Sequence, residues 1–322
     1  MPIFDLPLSE LREYQGVNPC PENLAEYWNN AMEELKGTEP AVKLIPAEFR
    51  CPGAECFDLY FTGVGGARIH AKYLRPEGGV APHPAVLMFH GYSGDSGDWV
   101  NKLAYVKAGM SVAAMDVRGQ GGKSEELSVV RGNTLNGHII RGLSDGPEKL
   151  LFRAIYLDCA QLARIVMSFS EVDAARVGAC GGSQGGGLTL ACAALTPGLN
   201  RAAPQFPFLC DFKRVWDMDL DVAAYAELRE YFRRFDPLHK REQEIFTRLG
   251  YIDLQHLASR IRAKVRMYTG LMDTICPPST QFAAYNKMVC EKSVVIYPDF
   301  GHEWLPGAED DTFTFMLEMI YK

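Results

Sequence analysis

The chain has 322 residues, 47% of them hydrophobic, and carries a formal net charge of −7 at a pI near 5.6. The acidic balance argues against nucleic acid or an anionic membrane as a partner, and no apolar run of ~18 residues predicts a transmembrane span. An early acid and two prolines stand where a signal peptide has a basic and then an apolar stretch, which predicts a cytoplasmic location. Nine cysteines cannot all pair within one chain, so we expect reduced thiols. Cys51 and Cys56 lack the second pair of ligands that a zinc site needs, and no metal is predicted.

The hydrophobic pattern predicts secondary structure in a clear order along the chain. An N-terminal extension, 1–40, contains a helix over 21–35, and two strands within 57–75 form a hairpin at a sheet edge. Short apolar runs then alternate with helical stretches, which is typical of a mostly parallel sheet with helices on both faces. The predicted segments are strands at 85–89, 111–117, 175–179, 265–270 and 293–297 and helices at 99–108, 150–169, 188–195 and 278–288.

Residues 210–260 interrupt this alternation. They are rich in charged and aromatic residues and predict a helical excursion over one end of the sheet, with ordinary surface helices as the alternative. Length alone suggests about two domains at ~150 residues each, but α/β folds often reach this size as one unit. Because no repeat or low-complexity linker divides the chain, we predict a single α/β domain over 1–322.

A Gly-x-Ser-x-Gly motif, formed by Gly181, Ser183 and Gly185, lies between a predicted strand and a predicted helix. In a nucleophile elbow the serine occupies a strained strand-to-helix turn, and the flanking glycines let strand and helix approach. The helix N-terminus directs free N–H groups toward the place where an oxyanion would form. The motif therefore predicts Ser183 as a nucleophile, and a glycine-rich loop without chemistry is the alternative.

A serine nucleophile needs a base and an acid that orients the base. Asp273 follows the predicted strand 265–270 and His302 follows the strand 293–297, in the order Ser, Asp, His that the α/β-hydrolase arrangement requires. His90, which follows a central strand, is the strongest rival base, although a structural role fits it better. Asp299 is the rival acid, but it lies on the same loop as His302 and would reach the outer ring nitrogen awkwardly.

Backbone N–H groups are expected to form the oxyanion hole. One comes from the residue after the nucleophile, Gln184, and the other from the loop after the third strand, where Tyr92 is the natural donor. Main-chain geometry alone supplies both contributions.

Three short motifs resemble those of carbohydrate esterase family seven, the acetyl xylan esterases and cephalosporin C deacetylases. They are Arg118-Gly119-Gln120, Gly181-Gly182-Ser183-Gln184-Gly185 and His302-Glu303, in the order of the family. The similarity spans essentially the whole chain, and the glutamine after the serine and the glutamate after the histidine make it more specific than the elbow alone. Further similar segments are 4–8, 90–92, 277–280 and 282–286.

The resemblance implies an α/β-hydrolase that cleaves acetyl and other short acyl esters of sugars, with no metal or organic cofactor. It implies Ser183, Asp273 and His302 as the triad and Tyr92 and Gln184 as oxyanion donors. It further implies a ring-shaped homo-hexamer whose active sites face an internal cavity. Arg118, Gly119 and Gln120 are expected to be structural, with Arg118 paired to a nearby acid such as Asp116, and Glu303 is expected to support the histidine loop.

The segment after the elbow helix, 201–208, departs from the smooth β-branched strand expected there. Pro204 removes a ladder hydrogen bond, which predicts a short or bulged strand. Phe206, Pro207 and Phe208, together with Tyr92, are candidates for the lining of the substrate pocket, and simple core packing is an equal alternative for the phenylalanines.

Other functions on the same fold remain open, because a fold does not fix a substrate. A lipase or general carboxylesterase would prefer longer acyl chains, and a peptidase usually carries a large extra domain for which this chain has no room. A hydrolase-like binding protein would be expected to lack a triad residue, and all three residue types are present.

Overall fold

A nine-stranded sheet forms the centre of the computed structural model, which describes residues 4–130 and 138–321. Residues 1–3 of the predicted N-terminal extension lie outside the described part. The spatial order is β1-β2-β3-β5-β4-β6-β7-β8-β9. The strands are β1 (Lys43–Pro46), β2 (Ala54–Thr62), β3 (Arg68–Pro76), β4 (His83–Phe89), β5 (Ser111–Met115), β6 (Val172–Gly182), β7 (Arg201–Gln205), β8 (Lys264–Gly270) and β9 (Lys292–Tyr297).

Strand direction divides the sheet into two parts. The pairings β1 with β2, β2 with β3 and β3 with β5 are antiparallel, whereas every pairing from β5 through β4 to β9 is parallel. Parallel neighbours need crossover connections, and helices supply them. The mostly parallel sheet predicted from the alternating pattern is therefore confirmed.

Helices occupy both faces of the sheet. The helices of the described residues are α1 (Leu8–Leu11), α2 (Leu24–Gly37), α3 (Leu103–Lys107), α4 (Leu151–Ser168), α5 (Gln184–Leu195), α6 (Phe212–Asp217), α7 (Ala226–Phe235), α8 (Glu242–Leu249), α9 (Leu254–Leu257), α10 (Pro278–Lys287) and α11 (Ala308–Leu317). Short 3-10 turns lie at Val64–Gly66, Trp99–Lys102, Pro147–Lys149, Ala223–Tyr225 and Ala258–Arg260. The helix predicted over 99–108 thus begins as a 3-10 turn and continues as α3. No helix within the described ranges is long and apolar enough to cross a membrane.

Most of the core consists of a large apolar cluster on one face of the sheet and a smaller one on the other, and Leu11, Leu271 and Phe282 form a third, minor cluster. β4 shows how the sequence divides between them, because Ala85 and Leu87 enter the large cluster and Val86 enters the small one. Successive side chains of a strand point to opposite faces. The large cluster also takes residues from α2, α4 and α5, and the small cluster takes them from α3 and α11. A strand buried on both faces is expected to be continuously apolar, as residues 85–89 of β4 are.

The edge of the sheet differs from the sequence prediction. β2 and β3 form the expected hairpin, with Thr62 opposite Arg68. Its predicted position at the edge is wrong, because β1 pairs with β2 and takes the outer place. β1 has only 4 residues and is mostly exposed, so its sequence lacks the apolar alternation that marks a strand.

The strand after the elbow helix is short, as the proline predicted. β7 has 5 residues and pairs with β6 at every position, including Pro204 opposite Gly181. On the other side, its register with β8 includes Arg201, Ala202 and Gln205 and omits Pro204. Pro204 has no N–H to donate, so it sits where the ladder to β8 is interrupted.

The helical excursion predicted over 210–260 is confirmed and comprises α6 to α9. One buried carboxylate connects it to the N-terminal extension. Asp211 accepts hydrogen bonds from the Tyr14 hydroxyl at 2.8 Å and from the backbone N–H of Asn18 at 2.8 Å. The indole N–H of Trp28 in α2 donates to the carbonyl of Tyr251 at 2.9 Å. The extension therefore packs against the excursion instead of lying free on the surface.

Three consecutive glycines allow α5 to lie unusually close to the sheet and the following loop. A Cβ added at Gly185 would lie 2.0 Å from the carbonyl oxygen of Phe89 in β4. One added at Gly186 would lie 2.4 Å from the Gln205 oxygen, and one at Gly187 would lie 2.5 Å from the Phe208 oxygen. These are backbone atoms, which cannot move aside as a flexible side chain can. The position of α5 thus depends on the absence of side chains along this stripe.

We expect Gly185→Ala to lower the free energy of unfolding by ~3 kcal/mol or more, because overpacking against backbone forces α5 away from β4. Gly198→Ala is the matched control, since a Cβ there meets nothing within 4 Å, and it should change stability by no more than ~0.5 kcal/mol. Urea unfolding of both variants measures the difference. Equal midpoints would contradict this explanation of the glycine stripe.

Arg118 forms a buried ion pair with Asp158 of α4. Its Nε and Nη2 donate to the two carboxylate oxygens at 2.6 and 2.7 Å, and the side chains are only 3% and 0% exposed. The predicted pairing of Arg118 with Asp116 is wrong. Asp116 instead hydrogen-bonds His70 Nδ1 at 2.6 Å and accepts from the backbone N–H of Ser96. The bidentate pair fixes the loop after β5 to α4, the helix that carries Asp158.

Arg118→Met should lower the free energy of unfolding by ~3–5 kcal/mol, because it leaves the Asp158 carboxylate buried without its partner. The double variant Arg118→Met, Asp158→Leu is the control, since replacing both charges by apolar groups should restore most of that loss. Urea unfolding checks both. A loss below ~1 kcal/mol in the single variant would show that the pair does not hold the loop.

Candidate active site

Ser183 occupies the turn between β6 and α5 in a strained conformation. Its φ is 58° and its ψ is −120°, a region that side-chain-bearing residues rarely adopt and that costs on the order of 1–3 kcal/mol. A Cβ at Gly181 would lie 2.4 Å from the Phe89 oxygen, so both flanking glycines of the motif are required sterically. The Ser183 N–H donates to Gln205 at 3.0 Å and its carbonyl accepts from Phe208 at 3.0 Å, so the neighbouring chain supports the turn.

His302 bridges Ser183 and Asp273. Its Nε2 lies 3.0 Å from Ser183 Oγ and its Nδ1 lies 2.9 Å from Asp273 Oδ2. A carboxylate can only accept, so Nδ1 carries the proton and the lone pair of Nε2 faces the serine hydroxyl. The structure therefore brings together the three residues that the sequence analysis singled out, from loops after β6, β8 and β9.

The buried carboxylate of Asp273 is held by backbone groups. It is 0% exposed, and its other oxygen, Oδ1, accepts from the N–H groups of Ile275 at 2.9 Å and Cys276 at 2.8 Å. These donors fix the carboxylate in place and leave Oδ2 for the imidazole. Such a carboxylate both selects the tautomer of His302 and stabilises its protonated form.

The rival residues lie elsewhere or are occupied. Nε2 of His90 accepts from the backbone N–H of Val117 at 2.9 Å, and its Nδ1 lies 2.7 Å from the Gly91 oxygen. Burial lowers the pKa of His90, in keeping with a neutral ring that accepts a backbone hydrogen bond. Asp273, and not Asp299, is the carboxylate that hydrogen-bonds His302.

The loop that carries Tyr92 follows β4 and lies against the start of α5. As the first helical residue, Gln184 has a backbone N–H without an intrahelical acceptor. The side-chain amides of Gln184 and Gln120 bond each other reciprocally, at 2.8 and 3.0 Å. Gln120 Oε1 also accepts from the N–H of Ser93 at 2.8 Å. Gln120 thus connects the residue after Tyr92 to the residue after the serine, a link that the sequence alone did not show.

The remaining motif residues lie around this centre. Gly119 has a φ of 69°, a conformation that favours glycine, between Arg118 and Gln120. Glu303 is exposed, and its Oε1 accepts from the backbone N–H of Gly301 at 2.9 Å, within the loop that carries His302.

Besides Tyr92, the candidate pocket residues Phe206, Pro207 and Phe208 lie in different surroundings. The ring of Phe206 packs against His302 with centroids 4.6 Å apart, so it borders the site. Phe208 is 1% exposed and packs on Tyr225 at 4.4 Å, which places it in the core. Pro207 is buried, and its Cα would lie 3.1 Å from a Cβ at Gly186. Phe206 is the one whose side chain packs against a residue of the Ser–His–Asp group, whereas Phe208 reaches Ser183 through its backbone N–H.

A buried cysteine that sequence reasoning did not connect with the site lies beside it. Ligand atoms of Asp273, Cys276 and His302 lie within 4.8 Å of one another, the one such group of potential metal ligands within the described ranges. Burial raises the pKa of the Cys276 thiol, and the Ser183 hydroxyl partly offsets this effect. The Cys276 thiol therefore stays protonated. The other two side chains, Asp273 and His302, are hydrogen-bonded to each other.

Comparison with known proteins gives a consistent result. The family model described as acetyl xylan esterase (AXE1) matches residues 1–319. Acetyl xylan esterase 1 from a Thermoanaerobacterium species is 57% identical, with a TM-score of 0.97 over 98% of this chain and 99% of that chain. An acetyl xylan esterase from a Paenibacillus species is 36% identical, with a TM-score of 0.92 over 97% of this chain and 99% of that chain.

A curated acetyl esterase from Xylanibacter ruminicola is 24% identical over 304 residues, or 92% of this chain. This chain spans 66% of the length of that relative. The family match covers nearly the whole chain, and the resemblance drawn from the three motifs is confirmed. The chain belongs to the acetyl xylan esterase family, and with it to the carboxylic ester hydrolases of the α/β-hydrolase fold.

Proposed function

We propose that this protein removes acetyl and other short acyl groups from sugars through an acyl-enzyme on Ser183. The observation that carries the proposal is the continuous relay from Ser183 Oγ to His302 at 3.0 Å and from His302 to the buried Asp273 at 2.9 Å. The acetyl xylan esterases named above, at 57% and 36% identity, support acetylated xylan fragments as the substrate class.

Acyl transfer proceeds in two steps, acylation of Ser183 and hydrolysis of the acyl-enzyme. His302 Nε2 takes the proton of Ser183 as Oγ attacks the acetyl carbonyl, and the oxyanion accepts hydrogen bonds from the N–H groups of Tyr92 and Gln184. The C–O bond to the sugar breaks, and His302 returns the proton to the departing alcohol. Water then enters, gives its proton to His302 and attacks the acyl-enzyme. Acetate leaves as Ser183 regains its proton.

The surroundings of the relay favour this charge distribution. Asp273 is fully buried and retains two backbone N–H donors, so its negative charge opposes the imidazolium that forms on His302. The oxyanion forms at the N-terminus of α5, where the helix dipole stabilises a negative charge by roughly 0.3–1 kcal/mol or more when partly buried. Both effects are present before substrate binds and cost no reorganisation during the reaction.

Phe206, beside His302, would limit the acyl group to a short chain. The resemblance to cephalosporin C deacetylases adds acetylated cephalosporins to the proposed substrates. It also supports a homo-hexamer with inward-facing sites, which sedimentation would test, since a monomer would rule out the enclosed cavity. Cytoplasmic location stays a prediction from the sequence.

Ser183→Ala should lower kcat on p-nitrophenyl acetate by ~10⁴-fold or more, because no other group supplies the nucleophile. Ser259→Ala is the matched control, because Ser259 is an exposed serine remote in sequence from the motifs, and it should retain wild-type activity. Initial rates measure both. Ser183→Ala activity above a small fraction of wild type would refute the acyl-enzyme mechanism.

Rates on p-nitrophenyl esters from acetyl to octanoyl should peak at acetyl and fall steeply, because Phe206 restricts the acyl site. Acetate release from acetylated xylo-oligosaccharides would then identify the alcohol. A maximum at longer chains would favour the lipase-like alternative and would leave the serine mechanism intact.

A further inference from the structure

The helical excursion places one buried glutamate beside the loop that carries Tyr92. Glu227 lies in the first turn of α7 and is 6% exposed. The Tyr92 hydroxyl donates to its Oε1 at 2.5 Å, and the backbone N–H of Ile140 donates to its Oε2 at 2.9 Å. The carboxylate therefore joins three separate parts of the chain: α7, the loop after β4 and the segment at residue 140.

No cation balances this carboxylate within 4–130 and 138–321. The groups that face it are the Tyr92 hydroxyl and the backbone N–H groups of residues 138–140, which favour its charged form. The His138 ring lies behind Tyr92 at 4.7 Å, and burial and Arg141 lower its pKa, so this ring adds no positive charge. Burial nevertheless raises the pKa of Glu227 to about 7. A buried acid without a salt-bridge partner is costly for folding.

The same contacts fix the orientation of Tyr92. Its ring is held between His138, at 4.7 Å, and Phe208, at 5.8 Å, while its hydroxyl is anchored at Glu227. Gln120 holds the next residue, Ser93, through its backbone N–H. With both ends of the tyrosine fixed, the peptide group between Gly91 and Tyr92 has little freedom to rotate.

We propose that Glu227 is a positioning residue for ester hydrolysis. By holding the Tyr92 hydroxyl, it fixes the orientation of the Tyr92 backbone N–H, which donates a hydrogen bond to the oxyanion. This inference rests on the proposed function, because it concerns the same reaction and the same oxyanion hole. It gives the excursion a role in the chemistry: α7 reaches the reaction centre through one side chain.

A purely structural role for Glu227 makes a different prediction about stability. The pKa of Glu227 is raised in the folded state, so the stability it contributes is fully present below its unfolded pKa and is lost as pH rises through about 7. At pH 8 the folded protein therefore buries an unfavourable charge. Replacing Glu227 by glutamine removes that charge, so a loss of activity without a loss of stability would identify a functional role.

The test compares Glu227→Gln with Glu230→Gln at pH 8 on p-nitrophenyl acetate. Glu230 lies on the same helix and pairs with Arg234 at the surface, which makes it the matched control. We expect Glu227→Gln to lower kcat by ~10-fold with KM little changed. A misdirected Tyr92 N–H would stabilise the transition state less and would leave the binding of the ester unaffected. Its thermal midpoint should be no lower than that of wild type, and Glu230→Gln should match wild type in both measurements.

Tyr92→Phe completes a double-mutant cycle. Removing the hydroxyl should lower kcat in the same sense. Adding Glu227→Gln to it should cause little further loss, because a carboxamide offers one acceptor oxygen to the two donors that the carboxylate serves, so both changes weaken the same Tyr92–Glu227 contact. Wild-type kcat in Glu227→Gln, or fully additive losses, would overturn the inference. If Glu227→Gln fails to fold, Tyr92→Phe decides alone, and wild-type kcat there would overturn it. An inactive Ser183→Ala beside any of these results leaves the proposed function standing, so the two failures are distinguishable.

Discussion

The strained turn at Ser183 depends on close contact between α5 and the backbone of β4. The glycines at 181 and 185 admit the Phe89 carbonyl oxygen at distances that no side chain would allow. This packing holds a serine with φ 58° between a strand and the start of a helix. The large apolar cluster around α4 and α5 provides the burial that offsets the backbone strain.

Parallel strand direction brings the remaining groups to the same place. The loops after β4, β6, β8 and β9 all lie at the carboxyl ends of these parallel strands. They carry Tyr92, Ser183, Asp273 and His302. Hydrogen bonds that involve side chains then hold these loops, some from outside the loop and some from within it. Gln120 ties the first two together, backbone N–H groups hold Asp273, and Glu303 bonds within the histidine loop. The side chains of the candidate site are thus oriented by contacts within the protein itself.

The sequence predicted those features of the fold and of the site that neighbouring residues determine. The apolar runs of β4 and β5, the proline in β7 and the motif at Ser183 each determine nearby structure, and the parallel direction of the strands places the loops after β6, β8 and β9 at the same end of the sheet. Partners distant in the chain were not predictable. Asp158 lies 40 residues from Arg118, and Glu227 lies 135 residues from Tyr92, with no spacing rule connecting either pair. β1 escaped prediction because a short exposed edge strand has no apolar alternation.

The most direct test of the account is to identify the residue that carries the acyl group during turnover. The protein would be mixed with p-nitrophenyl acetate, quenched in acid within the first turnovers, digested and analysed by peptide mass spectrometry. The account predicts one acetyl group, on Ser183 alone, and its disappearance as substrate is exhausted. Acetylation of another residue such as Cys276, or full activity with Ser183 never acetylated, would contradict it.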